Sequence, residues 1–160
     1  VDGAGTVTPP PVRLPRDRDG FDAVVVALRS TGVFAEVFFG TDAERRAGGV
    51  DRTPAAVVTP ESWVEDDGVD PIDLVRTVTF TVTLVARGND PSERFDLLDR
   101  LGSVAQNAID GEPLGGVCVP ALTKLRRGVF DQDSVHPEQR VSLQGEFSYL
   151  VPSLDGHRLN

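Results

Sequence analysis

The chain has 160 residues, 39% hydrophobic and 26% charged, enough for one domain with a substantial core. A net charge of −9 argues against a free-standing nucleic-acid binder, which needs a basic stripe to neutralise phosphates. Cys118 is the single cysteine, so no internal disulfide forms, and no apolar run approaches the length of a membrane-spanning helix.

Residues 1–18 are rich in proline and poor in core-forming side chains. They read as an extended arm, ordered where it lies against something else. Asp17 or Asp19 is positioned to cap a helix running to about Ser30, with Phe21, Val24, Val25 and Leu28 on its apolar side and Gly32 as its stop. A first strand is expected over residues 33–39, then a polar helical turn ending at Gly48-Gly49. A second, short strand covers residues 53–59, bounded by Pro54 and Pro60. Residues 61–73 read as a loop or hairpin tip carrying Trp63, the one tryptophan.

Residues 76–88 alternate strictly. Val78, Phe80, Val82, Leu84 and Ala86 fall on one face, with Thr77, Thr79, Thr81 and Thr83 on the other, the mark of a strand with one buried side. The period then changes to that of a helix. Asp90 caps, Pro91 takes the first helical position, Glu93 follows three residues after the cap, and Gly111 ends the segment. Phe95, Leu98, Leu101, Ala105, Ala108 and Ile109 make its apolar stripe. A strand broken near Pro120 is expected over residues 117–127, and a polar connection over 130–137. The closing strand, residues 140–151, places Val141, Leu143, Gly145, Phe147, Tyr149 and Val151 on one face, with Gly145 at a bulge or a close helix contact. The fold class is therefore α+β: a mostly antiparallel sheet of about five strands with two helices on one face. The single domain spans residues 19–152, preceded by the arm and followed by a tail at 153–160.

No nucleophile-and-base pair, phosphate-cradling loop or dinucleotide fingerprint occurs, so no catalytic or cofactor-binding residue is assigned. The acidic run Glu65, Asp66, Asp67, Asp70 and Asp73 lacks calcium-loop spacing and reads as a solvated face, as do Asp131 and Asp133. His136 and His157 fit no zinc pattern, and Cys118 between two valines reads as a small buried hydrophobe. Trp63 is either an interface anchor or a cover for a sheet edge. Candidate interface residues are Trp63 with Glu65, Asp66 and Asp67, facing either Arg45 and Arg46 or Arg126 and Arg127.

The elements in this order resemble the tail terminator, or tail completion, proteins of long-tailed bacteriophages. The resemblance is carried by the helix DGFDAVVVALRS before the strand VFAEVFF, the Pro-Ala-Ala-Val-Val strand at 54–58 before an acidic loop, the strand TVTFTVTLVARG leading into a proline-started helix, and the closing EFSYLVP. It covers about residues 19–152 and is one of element pattern, without an invariant signature; the proline-rich arm lies outside it. It implies a non-enzymatic virion protein, made in the host cytoplasm. Such a protein forms a ring, usually of six copies, at the head-proximal end of the tail. There it contacts the tail-tube protein and the head-side connector or stopper, and DNA passes through without specific binding. It implies no cofactor, no metal and no membrane. A related neck or tail-tube subunit, or a small cytoplasmic oligomeric enzyme, are the alternative expectations.

Overall fold

The computed structural model describes residues 12–13, 15–40, 52–67, 74–114, 116, 123–131, 137–151 and 153–154. The elements run β1 (Val12–Arg13), α1 (Asp17–Ser30), β2 (Glu36–Phe39), β3 (Ala55–Asp67), β4 (Leu74–Arg87), α2 (Pro91–Ile109), β5 (Lys124–Phe130), β6 (Glu138–Leu150) and β7 (Ser153–Leu154). Five strands form the main sheet in the order β2-β3-β4-β6-β5. Every pairing in it is antiparallel except that of β2 with β3. The fold is α+β, with both helices on one face.

The alternation of β4 decides that face. Val78, Phe80, Val82, Leu84 and Ala86 are buried with Val141, Leu143, Phe147 and Tyr149 of β6 in one core. Phe21, Val24, Val25 and Leu28 of α1 enter this core from one helix, and Leu98, Leu101, Ala105 and Ile109 of α2 from the other. Spacings of three and four residues put each set on one side of its helix. Asp90 caps α2 as expected, its side chain accepting from the Ser92 amide. Gly111, at φ 72°, follows α2's last residues.

Several elements differ from the sequence expectation. The cap position of α1 is Arg16, and no side chain caps it. The Asp19 carboxylate accepts from the Arg16 side chain at 2.9 Å, while Asp17 turns to Arg76 and Tyr149. β3 does not stop at Pro60. It continues to Asp67 through an irregularity between Pro60 and Ser62, so Trp63 stands in a strand and not in a loop. The alternating partners on β4 override the proline, which is tolerated because nothing pairs with that side of the strand among the described residues. Phe130 closes β5 and is not part of the following connection. Phe95 is 44% exposed, its ring 4.8 Å from that of Phe130, and Arg94 takes a buried place on α2 instead. The arm is partly tied down: Val12–Arg13 pairs with Ser153–Leu154, and Asp17 and Arg18 already belong to α1. The expected helical turn before Gly48-Gly49, most of the expected strand at 117–127, Cys118, His136 and His157 lie outside the described residues.

Gly145 marks a close approach of another kind than expected. It faces Phe80 across the β4–β6 ladder, and a Cβ there would collide with the Phe80 ring. Gly20 does the same for the helix: a Cβ would stand 2.5 Å from the Phe147 ring. Phe21 then contacts both rings, at 6.1 Å from Phe80 and 5.5 Å from Phe147, edge-on to each.

Phe80→Ala is expected to lower unfolding free energy by about 3–5 kcal/mol in urea denaturation, the usual range for a buried aromatic. Phe95→Ala, at a half-exposed position, should lower it by much less; comparable losses would show that α2 is seated on the sheet by a different face.

Candidate interaction surfaces

β2 runs beside only residues 55–58 of β3. That half of β3 is fully buried, at 0% exposure for Ala55, Ala56, Val57 and Val58. The other half, residues 60–67, has β4 on one side and no strand on the other among the described residues. It carries Glu61, Ser62, Trp63, Val64, Glu65, Asp66 and Asp67. Trp63 and Val64 are 54% and 59% exposed. Opposed residues share a face, so Trp63 and Glu65, opposite Val78 and Arg76, point to the helix side. Ser62, Val64 and Asp66, opposite Thr79, Thr77 and Val75, point to the other.

One cluster ties this edge to the body. Arg76 is nearly buried; its guanidinium reaches Asp17 of α1 at 2.5 Å and Glu65 of β3 at 3.0 Å. The Trp63 ring lies against it, 3.8 Å from the guanidinium carbon. The Tyr149 hydroxyl donates to Asp17 and accepts from the Arg16 amide at 2.7 Å. Burial disfavours the charged form of Arg76, yet the hydrogen bonds to Asp17 and Glu65 and the Asp17 charge outweigh it and raise its pKa. Burial and the hydrogen bond to Asp17 push the Tyr149 phenol well above its ordinary value. Arg76 is absent from the sequence-derived candidates, although its even position on β4 places it on the inward face with Val78 and Phe80. Asp17 meets it across 59 residues of chain, and Tyr149 meets Asp17 across 132, which no local pattern encodes.

The opposite edge of the sheet is β5, with Lys124 and the exposed Arg126 on the same side as Glu146 and Gln144 of β6. Val129 and Phe130 are 74% and 39% exposed, beyond an irregularity between Arg126 and Val129. Between the two edges lies the threonine face. Its hydroxyls meet in pairs: Ser62 with Thr79 at 2.6 Å and Thr77 with Ser148 at 2.8 Å. A shallow depression of about 180 Å³ there is bordered by Glu61, Thr79, Lys124, Arg126, Gln144 and Glu146.

Of the sequence-derived candidates, Trp63, Glu65, Asp66 and Asp67 thus share one open edge, and Arg126 and Arg127 lie on the opposite one. Arg45, Arg46, Asp70, Asp73 and Asp133 fall outside the described residues. Among the described residues no group of three or more His, Cys, Asp or Glu is placed to hold a metal ion, and no helix is long and apolar enough to cross a membrane. No protein family matches the chain, and no curated protein is significantly similar to it.

Tyr149 is the only tyrosine, so tyrosinate absorbance reports this cluster alone. Its ionisation should occur above the ordinary value of 10.0. In the unfolded chain the phenol loses its proton near that ordinary value while the folded protein retains it. The stabilisation is therefore complete below it and is lost as pH rises toward the folded pKa. Tyr149→Phe should remove that alkaline decline. A phenol that ionises at its ordinary pH in the folded protein would show that Asp17 does not hold it.

Proposed function

We propose that this chain is a non-enzymatic structural subunit of a long-tailed phage, a tail terminator. Copies of it form a ring, of six subunits, on the head-proximal end of the tail tube and present a surface to the head-side connector. The observation that carries the reading is the unlikeness of the two sheet edges, one acidic and one basic. A closed ring is built from heterologous contacts, in which one surface of each subunit meets a different surface of the next. A subunit that bears two different, complementary edges has the material for such contacts, whereas a two-fold dimer needs one self-complementary patch. The chain's net charge of −9 suits a ring that lets DNA pass without retaining it by phosphate neutralisation. The order of elements, from α1 through β6, supports the reading through its likeness to the tail terminator pattern.

Electron microscopy of intact phage particles, with the chain carrying a small electron-dense or antibody-recognised tag, tests the reading. A single ring of density at the junction of tail and neck is expected. Label repeated along the tube would identify a tube subunit, and label absent from the neck would overturn the proposal.

A further inference from the structure

We propose that neighbouring copies join by strand pairing, the open edge of β3 at residues 60–67 in one copy aligning antiparallel with β5 of the next. This rests on the reading that the chain assembles with itself, and it names the surfaces and their register.

Both edges present backbone groups that have no partner strand among the described residues. Such edges are templates for a further strand. Proteins guard them with charges, prolines and bulges, and both edges here have such devices: Pro60 with the shift to Ser62, and the shift between Arg126 and Val129. The charges, however, are sorted by sign. Residues 60–67 carry Glu61, Glu65, Asp66 and Asp67, and β5 carries Lys124, Arg126 and Arg127. An acidic edge repels another acidic edge and a basic edge another basic one. The pairing of β3 with β5 is the one in which opposite charges meet, so the same residues that block like-with-like association permit this one.

Strand direction agrees. β3 and β6 run one way and β4 and β5 the other, because each successive pair is antiparallel. Copies related by rotation about an axis roughly along the strands keep these directions, so β5 of the next copy arrives antiparallel to β3.

Side-chain faces agree as well. Asp66 and Val64 point to the threonine face, as do Arg126 and Val129, which sit opposite Gln144 and Ser142. Trp63 points to the helix face, as does Phe130, opposite Val141. Setting Asp66 against Arg126 therefore brings Val64 against Val129 and Trp63 against Phe130 across the irregularity of β5. Charge meets charge, aliphatic meets aliphatic and ring meets ring. A slip of one residue would put every pair on opposite faces. The pairing also covers Trp63, Val64, Val129 and Phe130, which are among the most exposed large apolar side chains of the described chain.

Directly opposed residues of an antiparallel pair have Cα atoms about 4.5–5.5 Å apart, within disulfide reach. The first test is a chain carrying Val64→Cys and Val129→Cys together, in a Cys118→Ala background, assembled on purified tail tubes and oxidised. A reductant-sensitive ladder of covalent multimers is expected on denaturing gels, with neither single-cysteine chain forming it. Dimers from the Val64→Cys chain alone would reveal a two-fold contact and overturn the proposal. The second test needs no cysteine. Asp66→Lys should weaken self-association about tenfold by setting like charges in register, and adding Arg126→Glu in the same chain should restore it. Circular dichroism of these surface variants separates lost assembly from lost folding. Rings that form with no ladder and no response to either charge change would overturn the strand pairing and leave the ring standing. An unaltered chain that stays monomeric at high concentration and on tail tubes would overturn both.

Discussion

Two phenylalanine rings lie where two side chains are missing, and both the sheet register and the seat of the first helix depend on this. Phe80 of β4 occupies the space over Gly145 of β6, and Phe147 of β6 that beneath Gly20 of α1. A two-residue slip of β4 against β6 keeps every side chain on its proper face, so alternation alone does not forbid it. It would, however, set Phe80 against Leu143 or Phe147 in place of glycine. Sliding α1 by one turn likewise replaces Gly20 by Arg16 or Val24 above the Phe147 ring. Phe21, edge-on to both rings, fixes the helix's rotation. Such pairs contribute about 0.5–1.5 kcal/mol each beyond the area they bury.

That seating reaches the open edge through one turn of helix. Asp17 lies three residues before Gly20, so placing Gly20 on Phe147 delivers the Asp17 carboxylate to Tyr149 and Arg76. Arg76 passes the constraint on to Glu65 and Trp63 of β3. Among the described residues, 60–67 have no neighbouring strand on their far side and would otherwise depend on β4 alone. Side-chain ties from the core take the place of the missing ladder there. The charges in this cluster are thus structural as well as superficial: removing Arg76 would leave two acids facing each other beside a half-exposed indole.

The long-range part of this was not legible in the sequence, and the local part was. The alternation of β4 and the capped, proline-started α2 each carry their signal within about 20 residues, and both elements form where the pattern puts them. The inward face of β6 is equally local. Pro60 misled because a proline reads as a strand end unless one knows that its amide would face no partner; edge position is a property of the whole sheet. Phe95 misled because helical spacing assigns it to the stripe, while the described α2 turns Arg94 inward to the Gly88 carbonyl. The charged residues of the two edges were visible as candidates, but not their geometry. An acidic run looks the same in a loop and on a strand, and only the sheet order reveals that the acids and the Arg126 region lie on opposite borders, with β4 and β6 between them.

That separation bears on why the edges differ. A solitary sheet protects its borders equally well with charges of either sign or a mixture, since any of them resists a passing strand. Sorting four acids onto one border and three bases onto the other adds repulsion within each group, which a lone subunit offsets only in part, through Arg76 on Glu65 and Glu146 opposite Lys124. The arrangement gains further free energy when unlike borders meet, because then both sets of like charges are relieved at once. A border guarded in this way rejects its own kind and accepts its complement. Each contact leaves one border of each kind unfilled at the ends of the row. A row of such subunits therefore stops growing only by closing on itself or by meeting a partner that covers the last edge.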